Sequence, residues 1–248
     1  MDDAKREILI QVKEGKLNPE EAAARLEAMD REAVAGTRPA TPPPAGAALR
    51  IRVVRKFGPA VVIGDPEVAE AAPEGPHTIH REGDTLIVEA LPLDDDWLGF
   101  TMTRGERSDP RRRGGRSSLV VRVNPQLPLE AEVTAGPLTV KGVRGPVRAE
   151  VTAGPLRIDG FTAPVDLSVQ AGPIEARGRL DAGASRIRCQ AGPVRVILER
   201  GSSVRVRGHA MLGKVSLPGG GREAVVGGGT GTLDVEATMG PVTVTSEG

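Results

Sequence analysis

The chain is nearly devoid of aromatic side chains. Of its 248 residues none is tyrosine, one is tryptophan and three are phenylalanine, 2% in all. Enzyme pockets are lined mainly by aromatic and large apolar groups around a few polar ones, so little here could build such a pocket. Cysteine is as scarce: the single Cys189 excludes an internal disulfide framework and a multi-cysteine zinc site. No stretch approaches the roughly 18 apolar residues of a membrane helix. The opening MDDAKREILIQVKEGK lacks the basic start and apolar run of a secretory signal. The expected compartment is the cytoplasm, with peripheral membrane contact left open. Net charge is missing too: Lys+Arg and Asp+Glu are both 33, which gives no prior for nucleic acid or membrane.

What the chain has in quantity is glycine, 32 residues, and proline, 21. Such content signals either disorder or a fold with very many turns. The valine-rich alternation described below selects the second.

Residues 1–34 read as a helical hairpin. Ile8, Leu9 and Val12 share one face of the first helix and Gly15 stops it. Asn18 caps the second helix, Pro19 fits its first position, and Glu21 sits where a capping-box acid reaches back. Ala22, Leu26 and Met29 form the inner face of that helix. Isolated helices shorter than about 12–15 residues are marginal in water, so the hairpin must pack on itself, on a copy or on a partner. Ile8, Leu9, Val12, Leu26 and Met29 are its candidate interaction face. Residues 35–48 are a proline-rich linker, extended enough to space the two parts.

Residues 49–248 are expected to form one β-solenoid domain. Leu49–Val54, Ala60–Ile63 and Thr85–Ala90 read as strands, and 94–118 as an exposed charged loop. The strongest signal begins near 119. Ala-Gly-Pro recurs at 135–137, 153–155, 171–173 and 191–193, in steps of 18, 18 and 20 residues, and Met239-Gly240-Pro241 echoes it. Between these marks Leu129, Ala131 and Val133 align with Val147, Ala149 and Val151, then with Val165, Leu167 and Val169. The shorter arms align as Leu138/Val140, Leu156/Ile158, Ile174/Ala176, Val194/Val196 and Val242/Val244. Strict alternation means half-buried strands. A two-strand coil cannot bury its apolar side alone, but coils stacked about 4.8 Å apart close a continuous core. The expected fold is mainly β: a β-solenoid, or β-helix, with coils of 18–20 residues, plus the small N-terminal α-helical hairpin.

The stretch LEAEVTAGPLTVKGVRGPVRAEVTAGPLRIDG (129–160) resembles the bacterial "putative adhesin" β-solenoid domain, and REGDTLIVEA is similar to part of that domain's first coils. Residues 3–32 resemble the SHOCT-like hairpin that precedes such solenoids in some envelope-stress proteins. The resemblance implies the solenoid fold and a part in the bacterial envelope stress response or its regulation. It carries no catalytic residues over, and an adhesive role would require export.

The residues themselves point away from catalysis. His77 and His80, three apart in an extended segment, face opposite sides, and His209 stands alone in an irregular stretch. Cys189 falls in the column of Val133, Val151 and Val169, which makes it a core residue and not a nucleophile. Gly227–Gly231 lacks the Lys-Ser/Thr of a phosphate loop and reads as a turn. Asp94–Asp96 lack the spaced ligands of a calcium loop. No catalytic residue, cofactor or metal is expected.

One surface feature stands out. Arg177, Arg186, Arg188, Arg195, Arg205 and Arg207 alternate with inward residues and are expected to project together from neighbouring coils. Such a face fits an acidic partner or an anionic membrane surface, or it merely solubilises strand edges. Nucleic acid is disfavoured, because no aromatics interleave with the arginines. The expected function is a non-catalytic scaffold or binding protein, acting through the hairpin (with itself or a protein partner) and the solenoid surface. The alternative is a polymer of the bactofilin-like cytoskeletal kind, stacking through an open end at Val242–Val244. A carbohydrate-active β-helix enzyme is the third reading.

Overall fold

The computed structural model describes residues 50–91 and 118–247, all within the second of the two units, Met1–Pro39 and Ala40–Gly248, into which the chain divides. The hairpin with its face of Ile8, Leu9, Val12, Leu26 and Met29, the linker, and residues 94–117 of the expected loop lie outside the described residues.

The described residues are strands and turns, with no helix among them. The first group is β1 (Arg50–Phe57), β2 (Ala60–Gly64), β3 (Ala71–Glu74), β4 (His77–Glu82) and β5 (Thr85–Ala90). Then come β6 (Leu119–Val123), β7 (Leu129–Ala135), β8 (Leu138–Lys141), β9 (Val147–Ala153), β10 (Leu156–Phe161), β11 (Val165–Ala171), β12 (Ile174–Gly178), β13 (Ala184–Ala191) and β14 (Val194–Leu198). The last are β15 (Val204–Leu212), β16 (Val215–Ser216), β17 (Glu223–Val226), β18 (Gly231–Met239) and β19 (Val242–Ser246). They form a ten-stranded sheet ordered β17-β15-β18-β13-β11-β9-β7-β1-β5-β4 and a nine-stranded sheet ordered β16-β19-β14-β12-β10-β8-β2-β6-β3.

From β7 to β14 the chain alternates between the sheets, long strand then short strand, and each strand pairs in parallel with its counterpart one repeat away. Leu129 pairs with Val147 and Val147 with Val165, while Val133 pairs with Val151 and Val169 with Cys189. On the short sheet Leu138, Leu156, Ile174, Val194 and Val242 are successive partners. The alignments expected between repeats are therefore the observed strand registers. Their inward side chains, from Ile51 to Val244, make one buried cluster. Burying each valine or leucine contributes about 1.5–3 kcal/mol relative to leaving it exposed, and here every second residue does so.

The Ala-Gly-Pro marks are the corners between long and short strands. Gly136, Gly154, Gly172, Gly192 and Gly240 have φ between 136° and 148°, where side chains are strained. A Cβ on Gly154 would also collide with the carbonyl oxygen of Gly136 below it, and one on Gly172 with that of Gly154. Corner backbones thus stack directly on one another. The Gly154 N–H donates to Ala171 O (2.8 Å) and the Leu156 N–H to the Pro173 carbonyl (3.0 Å), with the same pattern at each level. The 20-residue step has a local device: Val147 N–H donates to the Pro164 carbonyl, but Val165 N–H is met at 3.2 Å by the hydroxyl of buried Ser185.

Residues 50–90 join the same two sheets: β1, β2 and β5 pair in parallel with their neighbours in the array, and β3 and β4 run antiparallel. Two findings differ from the sequence reading. Val242–Val244 are not an open end: β19 lies between β14 and β16. The last unit in the chain, β18–β19, is inserted between the units β13–β14 and β15–β16. His209 consequently sits in a regular strand, opposite Glu236, and not in an irregular stretch. At each end of the long sheet the outermost strand runs antiparallel: β4 against β5, and β17 against β15.

Candidate binding surfaces

Outward side chains of the long strands fall into columns that run across the sheet. One column reads Arg52, Glu130, Arg148, Asp166, Arg186, Asp234, Arg207, Glu223 in spatial order, each the register partner of the next. Sign alternates at every step. The neighbouring column includes Glu132, Glu150, Ser168, Arg188, Glu236 and His209. Contacts run along and between the columns: Arg207 Nε is 3.2 Å from Glu223, Arg52 is 3.2 Å from Glu132, and Arg188 is 3.5 Å from Asp166.

The short sheet carries a chequerboard. Arg157, Glu175 and Arg195 form one column, and Lys141, Asp159 and Arg177 the other. Arg157 pairs with Glu175, and Arg177 bridges Glu199 (3.1 Å) and Glu247 (2.9 Å). Most of these residues line an open depression of about 270 Å³ together with Ile197.

This geometry places the six candidate arginines. Arg186 and Arg188 lie on β13, Arg205 and Arg207 on β15, and Arg177 and Arg195 on β12 and β14 of the other sheet. The structure does not gather them on one face. Between the β13 pair and the β15 pair runs β18 with Asp234 and Glu236. The chain order of the strands suggested contiguity; the spatial order interleaves acids.

His77 Nδ1 donates to the Gly75 carbonyl at 2.6 Å, and His80 Nε2 is 3.5 Å from Glu82. Cys189 is 3% exposed and its S–H points at the carbonyls of Gly172 and Gly192 (3.4 and 3.5 Å). Burial pushes its thiol up, and a backbone hydrogen bond from Ala191 offsets that only in part. Gly227–Gly231 is the turn into β18; Thr230 Oγ1 donates to Asp181 O at 2.6 Å, which ties that turn to the preceding unit. Asp94–Asp96 lie outside the described residues. Among these residues no helix is long and apolar enough to cross a membrane.

Arg55 was missed by the sequence reading. It is 3% exposed and faces inward at the level of Val133, with burial lowering its pKa. Its guanidinium lies under the corner: a Cβ on Gly58 would be 2.7 Å from Nη2. Parity could have found it, since Ile51, Val53 and Arg55 share one side of β1. A strand ended at Val54 hides that residue.

Comparison with known proteins adds little. No family model matches the chain, and no curated protein does. Among solved structures it is similar to a protein of Clostridium sporogenes ATCC 15579 described as a "putative cell adhesion protein", at 14% identity and a TM-score of 0.42, over 83% of this chain and 96% of that one.

Proposed function

We propose that residues 50–247 form a β-solenoid that serves as a non-catalytic scaffold, and that the N-terminal hairpin attaches it to itself or to a protein partner. The observation that carries this reading is the column Leu129–Val147–Val165, with its counterpart Leu138–Leu156–Ile174 on the other sheet. Units that repeat in register, each contacting its neighbours, produce long flat faces rich in exposed side chains. Such faces bind through surface area and charge pattern. The resemblance to envelope-stress proteins gives the setting: a bacterial scaffold at or beneath the envelope, responding to stress or regulating that response. Against the bactofilin-like alternative stand the antiparallel strands at both ends of the long sheet, which interrupt the parallel stacking there.

The test is the mass of the full chain in solution, compared with an Ile8→Glu/Leu26→Glu variant. Self-association that the variant abolishes supports the hairpin as the attachment point. For a monomeric chain, a pull-down with and without the two substitutions reads partner capture instead. An identical mass and an identical set of bound proteins for both chains would defeat the reading.

A further inference from the structure

Most inner side chains do not say which unit stacks on which. The buried triplets of β9, β11, β13 and β18 are Val-Ala-Val, Val-Leu-Val, Ser-Ile-Cys and Leu-Val-Ala, and all are small enough to follow one another. The corners at Gly136, Gly154, Gly172, Gly192 and Gly240 present the same glycine backbone to the next level, while the β15–β16 corner, Gly213-Lys214, has neither the positive φ nor the proline. The structure stacks β18–β19, and not β15–β16, directly on β13–β14.

The outward charges distinguish these two orders. Read along the chain, the alternating column runs Arg186, Arg207, Asp234. Stacking β15 on β13 in the observed registers would set Arg186 beside Arg207 and Arg188 beside His209. With β18 inserted, Asp234 is flanked by Arg186 and Arg207, and Glu236 by Arg188 and His209. Cross-strand pairs of opposite sign stabilise a sheet and like pairs destabilise it. We infer that the acidic residues of β18, Asp234 and Glu236, act as an address that selects the place of the C-terminal unit, threading it between two basic strands. One packing feature works with the address. Gly208 of β15 has no side chain where one would meet Val215 and Leu217, so Leu217 packs over β15 as part of the buried cluster. A unit covered in this way is suited to the outer place.

Strand order can be read by crosslinking. In the observed order Ala191 is the register partner of Met239, and Met239 that of Leu212. All three are exposed. Paired strands are about 4.8 Å apart, within the Cα separation a disulfide spans. In a Cys189→Ala background, Ala191→Cys/Met239→Cys should therefore oxidise to a disulfide and Ala191→Cys/Leu212→Cys should not. Adding Asp234→Arg and Glu236→Arg is expected to lose the 191–239 crosslink at low salt, through exchange to 191–212 or through unfolding. At about 1 M salt, where the Debye length is about 3 Å, the 191–239 crosslink should return. A 191–239 crosslink undiminished by the reversal at low salt overturns the inference. So does a loss that salt does not reverse, since the cause would then not be charge.

Discussion

At the level of single residues, the corner glycines and the Cys189 thiol lend themselves to direct tests. Gly154 combines a φ of 143° with backbone packed against the place a Cβ would occupy. Strained conformations of this kind cost about 1–3 kcal/mol, so Gly154→Ala should lower the thermal midpoint by several degrees. Gly83 makes the contrast: its φ is 56° and nothing lies within 4 Å of an added Cβ. Since asparagine tolerates that region, Gly83→Asn should leave the midpoint nearly unchanged. Equal losses at both positions would remove the stacking argument for the corners. Cys189 gives a pH test. Its folded-state pKa is raised by burial, so it contributes stability that is present below the unfolded value of about 8.5 and is lost as pH rises through the folded value. Between pH 9 and 10 the wild-type midpoint should fall further than that of Cys189→Val, the residue that neighbouring Val169 exemplifies. In the native protein below pH 8 the thiol should resist alkylation.

At the level of elements, the repeat makes a prediction about subtraction. Deleting residues 147–164 removes β9 and β10 as one whole unit and joins Pro146 to Val165, so Leu129 meets Val165 in the old register. The shortened chain should still fold cooperatively, as stacked repeats allow. It also places Glu130 beside Asp166 and Lys141 beside Arg177, like charges in both sheets. Each such pair costs roughly 0.2–1 kcal/mol. The variant should therefore be less stable at low salt and recover part of the loss at high salt, as followed by circular dichroism melts. Deleting only 147–155 leaves a short strand where a long one belongs and should abolish the cooperative transition. A nine-residue deletion that melts like the 18-residue one would count against the coil description.

At the level of the described β unit, the feature that matters most is that each end of its long sheet finishes in an antiparallel strand. Asn124, buried where the segment before β3 meets the array, donates from Nδ2 to Ala69 O at 3.2 Å, and its backbone N–H donates to Glu70 O at 2.9 Å. Arg81 of β4 reaches Glu70 through Nη2 at 2.6 Å. Removing the Asn124 amide deletes its half-buried hydrogen bonds to Ala69 O and from the Gln126 N–H, each worth about 0.5–1.5 kcal/mol. Asn124→Ala should increase hydrogen exchange first in β3 and β4, well before the central strands. At the other end antiparallel β17 finishes the long sheet, β16 is outermost in the short sheet, and Leu217 is buried. Negative-stain images of the purified protein should accordingly show discrete particles; long filaments under native conditions would restore the polymer reading.

Much of this was legible in the residues themselves. Ala-Gly-Pro every 18–20 residues, with valine, leucine and alanine in phase between the marks, specified the strands, corners and registers, because alternation and corner chemistry are local properties repeated at fixed intervals. The same reasoning put Cys189 in the core. The place of each unit was not legible, because repeats with similar interiors carry little local signal of their neighbours. Chain order suggested a face of six arginines and an open end at Val242. Tertiary order set Asp234 and Glu236 between the arginines and enclosed Val242 between two strands. That order depends on charges that lie far apart in the chain and meet only once the units have stacked.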